Sequence, residues 1–211
     1  MKIIFLDVDG VINTINKKKE LESLNKFVDW DFNNIFCKMS LKNLQRLVDK
    51  TQSMIVLISA RRFTPALLVP LRMQFIEYGL WLRIIDKTPV VDPLLEHGQG
   101  KELEILKWLE DTIETVESFI ILDDFAPFFN KLTPQLIAID PHTGINFQKL
   151  KECIYKLTQN DPCSHCGKDI KYFNDIINCD CHHHWCSNEC ADADGYKLDC
   201  IDITCKYCEE V

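Results

Sequence analysis

The sequence contains no apolar stretch that approaches the roughly 20 residues needed to span a bilayer, so we expect no membrane partner. Internal repeats and low-complexity segments are also missing. The start, Met1-Lys2, runs directly into an apolar segment without the pattern of a signal peptide. We therefore expect an intracellular, cytoplasmic protein.

An excess of basic residues is missing as well, since the net charge of the 211 residues is −8. Residues 161–211 hold 4 basic and 11 acidic residues, a net charge of −7, which leaves the first 160 residues close to neutral. A general nucleic-acid clamp needs a basic face. The composition excludes that role for the tail, whereas the first 160 residues still allow a local basic patch.

Cysteine is scarce in the first 160 residues, which contain only Cys37 and Cys153. The other nine of the eleven cysteines lie between positions 163 and 208. Crowding of this kind in a reducing compartment indicates metal rather than disulfides. Four closely spaced pairs predict two tetrahedral, structural zinc sites in a small domain over 163–211, after a linker over 159–162. The paired residues are Cys163 and Cys166, Cys179 and Cys181, Cys186 and Cys190, and Cys205 and Cys208. Cys200 and the histidines at 165 and 182–184 remain alternative ligands.

Strand and helix patterns alternate over residues 1–158, which predicts an α/β domain with a parallel sheet and helices on both faces. Short apolar runs predict five strands, at 3–6, 54–58, 80–85, 118–122 and 136–139. Helical periodicity predicts four helices. One begins at Ser40, and the others cover 65–78, 100–115 and 146–158.

Polar side chains follow three of these strands at the point where each one ends. Asp7 and Asp9 follow the first strand, Ser59 the second, and Asp123 and Asp124 the fourth. The carboxyl ends of parallel strands lie along one edge of a sheet, so we expect these side chains to meet there. Paired carboxylates bind hard cations such as Mg²⁺, and one carboxylate can attack an electrophile.

Four segments taken in order resemble the motifs of the haloacid dehalogenase-like (HAD) phosphohydrolases. They are Asp7-Val8-Asp9-Gly10, Ser59, Lys101 near a helix start, and Asp123-Asp124. The resemblance covers roughly residues 1–158 and implies a HAD Rossmann-like fold. Only residues 13–39 and the short gap from 85 to 100 offer room for a cap domain, so we expect a capless or minimally capped, fairly open site.

The resemblance implies a Mg²⁺-dependent phosphatase with an aspartyl-phosphate intermediate. Asp7 would be the nucleophile, and Asp9 would protonate the leaving oxygen and later activate water. Ser59 would hydrogen-bond a phosphoryl oxygen, and Lys101 would neutralise transition-state charge. The predicted magnesium ligands are Asp7, the Val8 carbonyl, Asp9, Asp123 and Asp124.

A narrower resemblance links the chain to the HAD domain of nucleic-acid end-repair proteins. The run from Asp7 to Asn13 matches that branch, as do Lys101, Glu104-Ile105 and Trp108-Leu109. The branch usually has Ser-Ser-x-Trp-Arg after the second strand, where this chain has Ser59-Ala60-Arg61-Arg62. A phosphate on a nucleic-acid end is therefore the first substrate expected. Phosphoproteins, small metabolites and a catalytically idle scaffold remain alternatives.

Two basic clusters have an open interpretation. Arg61 and Arg62 follow the second strand and either grip a substrate phosphate or form a solvated pair of charges. The lysine run at 17–19 is either a solvated surface or a contact for a phosphate-bearing polymer.

The run Trp185-Cys186-Ser187-Asn188-Glu189-Cys190 resembles an element of treble-clef and MYND-like zinc fingers. Interleaved pairing as in those fingers implies one site from Cys163, Cys166, Cys186 and Cys190, and a second from Cys179, Cys181, Cys205 and Cys208. The acidic surface of the tail favours a protein partner over DNA.

Overall fold

A computed structural model describes residues 1–23, 36–91 and 100–158, and within the tail residues 177–178, 184–185, 191 and 193. The chain divides into two compact units, Met1–Cys153 and Ile154–Val211. The domain limits expected from the sequence, at 158 and 163, remain predictions.

The larger unit contains a parallel sheet of five strands in the order β3-β2-β1-β4-β5. The strands are β1 (Lys2–Leu6), β2 (Met54–Leu57), β3 (Ile84–Lys87), β4 (Ser118–Asp123) and β5 (Leu136–Ala138). The α/β class and the number of strands expected from the sequence are confirmed.

Five described helices accompany the strands. They are α1 (Ile15–Ser23), α2 (Lys38–Thr51), α3 (Pro65–Glu77), α4 (Lys101–Asp111) and α5 (Phe147–Thr158). The sequence of strands runs from β1 outward to β3 and then returns to β4 on the other side of β1. Right-handed crossovers in opposite directions place helices on opposite faces of a sheet.

The centre of the sheet is its most apolar part because β1 is paired on both sides. Ile4 aligns with Ile55 of β2 and with Ile120 of β4, and all three are fully buried. The ring of Phe5 makes edge-on contacts with Trp108 of α4 at 5.4 Å and with Phe119 at 5.6 Å between ring centres. This packing fixes α4, and with it Lys101, against the middle of the sheet.

The third strand begins later than the sequence pattern predicts. The expected strand at 80–85 is a 3₁₀ turn over Trp81–Arg83, and β3 then begins at Ile84. Leu82 is 87% exposed, so the apolar run from Leu80 does not form one buried strand. Local apolar character misled the prediction, because a short apolar run does not distinguish a strand from a turn that packs one side chain.

Helix ends also differ from the sequence prediction. The helix expected from Ser40 begins at Lys38, and the buried Ser40 hydroxyl instead accepts a hydrogen bond from the Ile145 N–H at 3.0 Å. Helix α4 ends at Asp111, four residues before the predicted end at Thr115. Long-range contacts and capping decide such boundaries, and neither is visible in helical periodicity.

Candidate active site

The strand order brings the ends of β1 and β4 together at the point where the order of strands reverses. Asp7 directly follows β1, and its N–H donates to the Leu122 carbonyl at 2.9 Å, so the pairing of β1 with β4 continues through this residue. The Asp7 carboxylate is buried, and its Oδ1 accepts from the Val8 N–H at 2.8 Å. Crevices outside such switch points are where open α/β sheets bind ligands.

Lys101, the first residue of α4, joins the two strand ends. Its Nζ lies 2.7 Å from Asp7 Oδ2 and 2.6 Å from Asp123 Oδ2. Burial lowers the pKa of Lys101, but the charges of Asp7 and Asp123 outweigh it and raise that pKa above its ordinary value. A cation in the first turn of a helix opposes the helix dipole. The two carboxylates explain why a lysine is nevertheless stable here.

Asp123 and Asp124 complete an acidic cluster with Asp7. One carboxylate oxygen from each of the three residues lies within 4.8 Å of the others. Burial raises the pKa of Asp123 to about 6, with repulsion from Asp7 adding to the shift and Lys101 opposing it. Burial and Asp7 also raise the pKa of Asp124.

This donor set fits a magnesium ion. Mg²⁺ prefers hard oxygen ligands, usually one or two carboxylates together with substrate oxygens and water. Carboxylates that are crowded together gain stability when a divalent cation neutralises them. Asp7, Asp123 and Asp124 are therefore the described residues that suit such an ion best.

Gly10 allows Asp124 to approach the turn after β1. Its φ angle is +80°, and a Cβ atom at this position would lie 2.2 Å from Asp124 Cγ. A larger residue would therefore be strained in its backbone and would displace the Asp124 carboxylate.

Asp9 is held by two residues outside the acidic cluster. Arg61 binds it in a bidentate manner, with Nε 2.9 Å from Oδ2 and Nη2 2.6 Å from Oδ1, and Asn13 Nδ2 donates to Oδ1 at 2.7 Å. Burial would raise the pKa of Asp9, but Arg61 and Asn13 together lower it below its ordinary value. Asp9 therefore carries a negative charge at neutral pH in the free protein.

Arg61 itself is buried, and its Nη1 has no hydrogen-bond partner among the described residues. An unpaired, buried guanidinium nitrogen is unfavourable until an acceptor arrives. The Ser59 hydroxyl, which is also buried, accepts from the Arg61 N–H at 3.4 Å. Ser59 thus lies at the start of the turn that aims Arg61 at Asp9.

Arg62 is bound within the protein framework. It donates to the carbonyls of Ile58, Ser59 and Thr88 and forms an ion pair with Glu104. Four of its five N–H groups are thereby used, which leaves little capacity for a substrate. The interpretation of Arg61 and Arg62 as a solvated pair is wrong, because both side chains are buried by partners distant in sequence.

The Val8 carbonyl does not suit its predicted role as a magnesium ligand. It accepts hydrogen bonds from the N–H groups of Val11, Ile12 and Asn13 at 3.3, 3.0 and 2.9 Å. These three bonds turn the carbonyl into the loop after β1 and occupy its lone pairs. A carbonyl in the middle of a strand-end motif can face either side, and the sequence does not indicate which.

Sequence reasoning assigned no role to Asn13 and Glu104, although both lie in the patterns it matched. Asn13 binds Asp9, and Glu104 binds Arg62. The sequence signal that could have identified them is their position in the matched motifs, at fixed offsets from Asp7 and Lys101. All eight predicted zinc cysteines, Cys163 to Cys208, lie outside the described residues.

A comparison with models of known protein families identifies the family of this chain. Residues 3–150 match the model of the HAD domain in Swiss Army Knife RNA repair proteins. The chain belongs to this family. The match spans every residue of the site, from Asp7 to Asp124, and confirms the HAD superfamily expected from the motifs. No curated protein and no solved structure matches the chain.

Within the described part of this HAD chain, none of the helices is long and apolar enough to cross a membrane.

Proposed function

We propose that this HAD chain is a Mg²⁺-dependent phosphatase that forms an aspartyl-phosphate on Asp7 and removes a phosphate from a nucleic-acid end. The observation that carries the proposal is the buried Asp7 carboxylate, which Lys101 links to Asp123 at the carboxyl edge of the sheet. A binding scaffold has no need for a buried lysine between two carboxylates, since such groups are costly to bury.

In the first step an Asp7 oxygen attacks the phosphorus, a new O–P bond forms, and the bond to the leaving oxygen breaks. The leaving oxygen must take up a proton. Arg61 and Asn13 keep the pKa of Asp9 low, so Asp9 is ionised at first. It can supply the proton only after its pair with Arg61 opens on substrate binding and it has taken up a proton from solvent. The unpartnered Nη1 of Arg61 supports a phosphoryl oxygen as the acceptor that draws Arg61 toward the substrate.

In the second step water attacks the phosphorus, gives its proton to Asp9, and the Asp7 O–P bond breaks to release inorganic phosphate. Ionised Asp9 is already in the form that this step requires. Lys101 neutralises charge on the phosphoryl group throughout.

Asp7, Asp123 and Asp124 would hold the magnesium ion. When bound, the ion supplies positive charge that screens the repulsion between the carboxylates and an anionic phosphate.

The family description supports nucleic acid, and RNA in particular, as the carrier of the phosphate. A panel of RNA and DNA oligonucleotides with 3′- or 5′-phosphates, assayed beside phosphopeptides and small phosphate esters, tests this. We expect release of inorganic phosphate from one class of oligonucleotide end at a kcat/KM at least about tenfold above the other substrates. Equal or higher values for phosphopeptides or small esters would contradict the nucleic-acid assignment.

We also propose that the tail binds two structural zinc ions through the eight paired cysteines and recruits a protein partner. The described strands β6 (Ile177–Asn178) and β7 (His184–Trp185) pair in an antiparallel manner. They are two residues long, and a two-stranded pairing of this size is unstable alone. Metal binding would supply the missing stability. A reducing cytoplasm would keep the cysteines from forming disulfides, so that they can bind zinc.

The zinc proposal predicts two equivalents of zinc per purified chain, measured by mass spectrometry of the metals. A strong chelator should remove them, and the activity of the HAD domain should return once the chelator is removed and Mg²⁺ is supplied again. Replacement of Cys163 and Cys166 by serine should lower the zinc content by one equivalent, whereas the same change at Cys37 and Cys153 should not. A zinc content near zero in the reduced protein would refute it.

A further inference from the structure

Among the described residues, Phe125, the residue after Asp123-Asp124, carries the most exposed aromatic side chain close to the acidic cluster. It is 48% exposed, although exposed apolar area is unfavourable. Its ring packs on that of Phe128, with 4.4 Å between the ring centres. The proposed chemistry does not use this ring.

The position of Phe125 is fixed by the acidic cluster itself. Its N–H donates to Asp123 Oδ1 at 2.9 Å, and its carbonyl accepts from the Phe128 N–H at 3.3 Å. The intervening Pro127 lies in the 3₁₀ turn Ala126–Phe128 and restricts the backbone. The backbone of Phe125 is therefore held next to Asp123, which keeps the ring close to the acidic cluster.

Phe128 connects this exposed ring to the phosphate-neutralising lysine. Lys101 Nζ lies 5.8 Å from the centre of the Phe128 ring. A chain of contacts thus runs from the cation beside Asp7, through Phe128, to the half-exposed ring of Phe125. Its two ends have the chemistry of the two parts of a nucleotide, an anionic phosphate and a flat aromatic base.

We propose that Phe125 stacks on the nucleobase of the nucleotide that carries the phosphate. Proteins that bind single strands or ends commonly stack unpaired bases on aromatic side chains. Stacking tolerates every base, because each has a π-face, so Phe125 would confer preference for a nucleotide over a simple phosphate ester rather than for one sequence. This inference depends on the proposed function.

The test compares two phosphorylated oligonucleotides that differ only in the terminal nucleotide, one with its base and one abasic. KM and kcat are measured for the wild type, for Phe125→Ala, and for Phe125→Trp, which keeps an aromatic surface. In the wild type we expect KM to be about tenfold higher for the abasic end, within the range that one stacked base contributes. In Phe125→Ala the ratio should fall close to one, and in Phe125→Trp it should persist.

Ile113→Ala provides the control, because Ile113 is 98% exposed and lies between α4 and β4, before β4 begins at Ser118. Its ratio should equal that of the wild type. A wild-type ratio near one, or an unchanged ratio in Phe125→Ala, would overturn the stacking role while leaving the phosphatase intact. A fall in kcat on both substrates without a change in the ratio would overturn it too, since Phe125 would then only position Asp123. Failure of the wild type to act on any oligonucleotide would instead overturn the proposed function.

Discussion

Replacement of Asp7 by asparagine is expected to lower the turnover of a phosphorylated oligonucleotide by at least about a thousandfold. An amide nitrogen or oxygen is a far poorer nucleophile than a carboxylate and forms no stable acyl phosphate. The side chain keeps its size, so the buried position next to Lys101 can still be filled. Phosphate release under saturating Mg²⁺ measures the effect, and thermal unfolding verifies that the variant is folded.

Asp140→Asn is the matched control for this change. Asp140 follows β5 on the same edge of the sheet, but it is exposed, and its carboxylate accepts from the N–H of His142 at 2.8 Å. We expect nearly normal turnover from this variant. Rapid quenching of the wild type should also trap a phosphoenzyme that hydroxylamine cleaves. With an aryl phosphate, whose leaving group needs no proton, Asp9→Asn should increase its yield, because hydrolysis slows while formation continues. Turnover in Asp7→Asn comparable to the wild type would refute the assignment of the nucleophile.

Replacement of Lys101 by methionine should abolish activity and also destabilise the protein, by about 3–5 kcal/mol at neutral pH without divalent cations. The change leaves Asp7, Asp123 and Asp124 close together with no cation between them. Urea unfolding of both proteins at pH 7.5 and pH 5 measures the difference.

The destabilisation should be smaller at pH 5. The pKa of Asp123 is about 6 in the folded wild type against an ordinary value of 3.8, and removal of Lys101 should raise it further. A carboxyl group whose folded pKa is raised contributes stability below its unfolded pKa, and this contribution is lost as the pH rises through the folded pKa. The folded variant can therefore protonate Asp123 at pH 5, whereas at pH 7.5 it must keep the ionised carboxylates close together.

Added Mg²⁺ should restore part of the lost stability at pH 7.5, because an ion that binds only the folded state shifts the unfolding equilibrium. Lys107→Met is the control, since Lys107 lies on the same helix but pairs with Glu110 and Asp111 at the exposed surface. Exposed pairs contribute little. A Lys101→Met protein as stable as the wild type at pH 7.5, or one destabilised more at pH 5, would refute the electrostatic account.

The elements of the sheet could be predicted from the sequence because their signals are local. Apolar runs mark β1, β2 and β4, and a polar group at the end of each identifies Asp7, Ser59, Asp123 and Asp124 as site candidates. The displaced start of β3 shows the limit of that signal, since the run at 80–85 has strand composition but turns at Trp81–Arg83.

The contacts inside the site could not be predicted in the same way. The sequence predicts that Asp7 and Asp123 share an edge, but only the strand order makes β1 and β4 neighbours and lets Lys101 reach both carboxylates. The two adjacent arginines show this most clearly. Arg61 binds Asp9 and Arg62 binds Glu104, although the two arginines are consecutive in the sequence and have almost the same neighbours.

The sequence by itself determined which residue types stand at the ends of the buried strands, and hence the fold class and the chemistry available to it. Only the tertiary structure decided which charges meet, which arginine is free to accept a further partner, and which carbonyl is already occupied. The physical reason is that the formation of a strand depends on residues a few positions apart. The pairing of buried charges depends instead on long-range packing, which brings together residues as far apart as Asp7 and Asp123, 116 positions from each other.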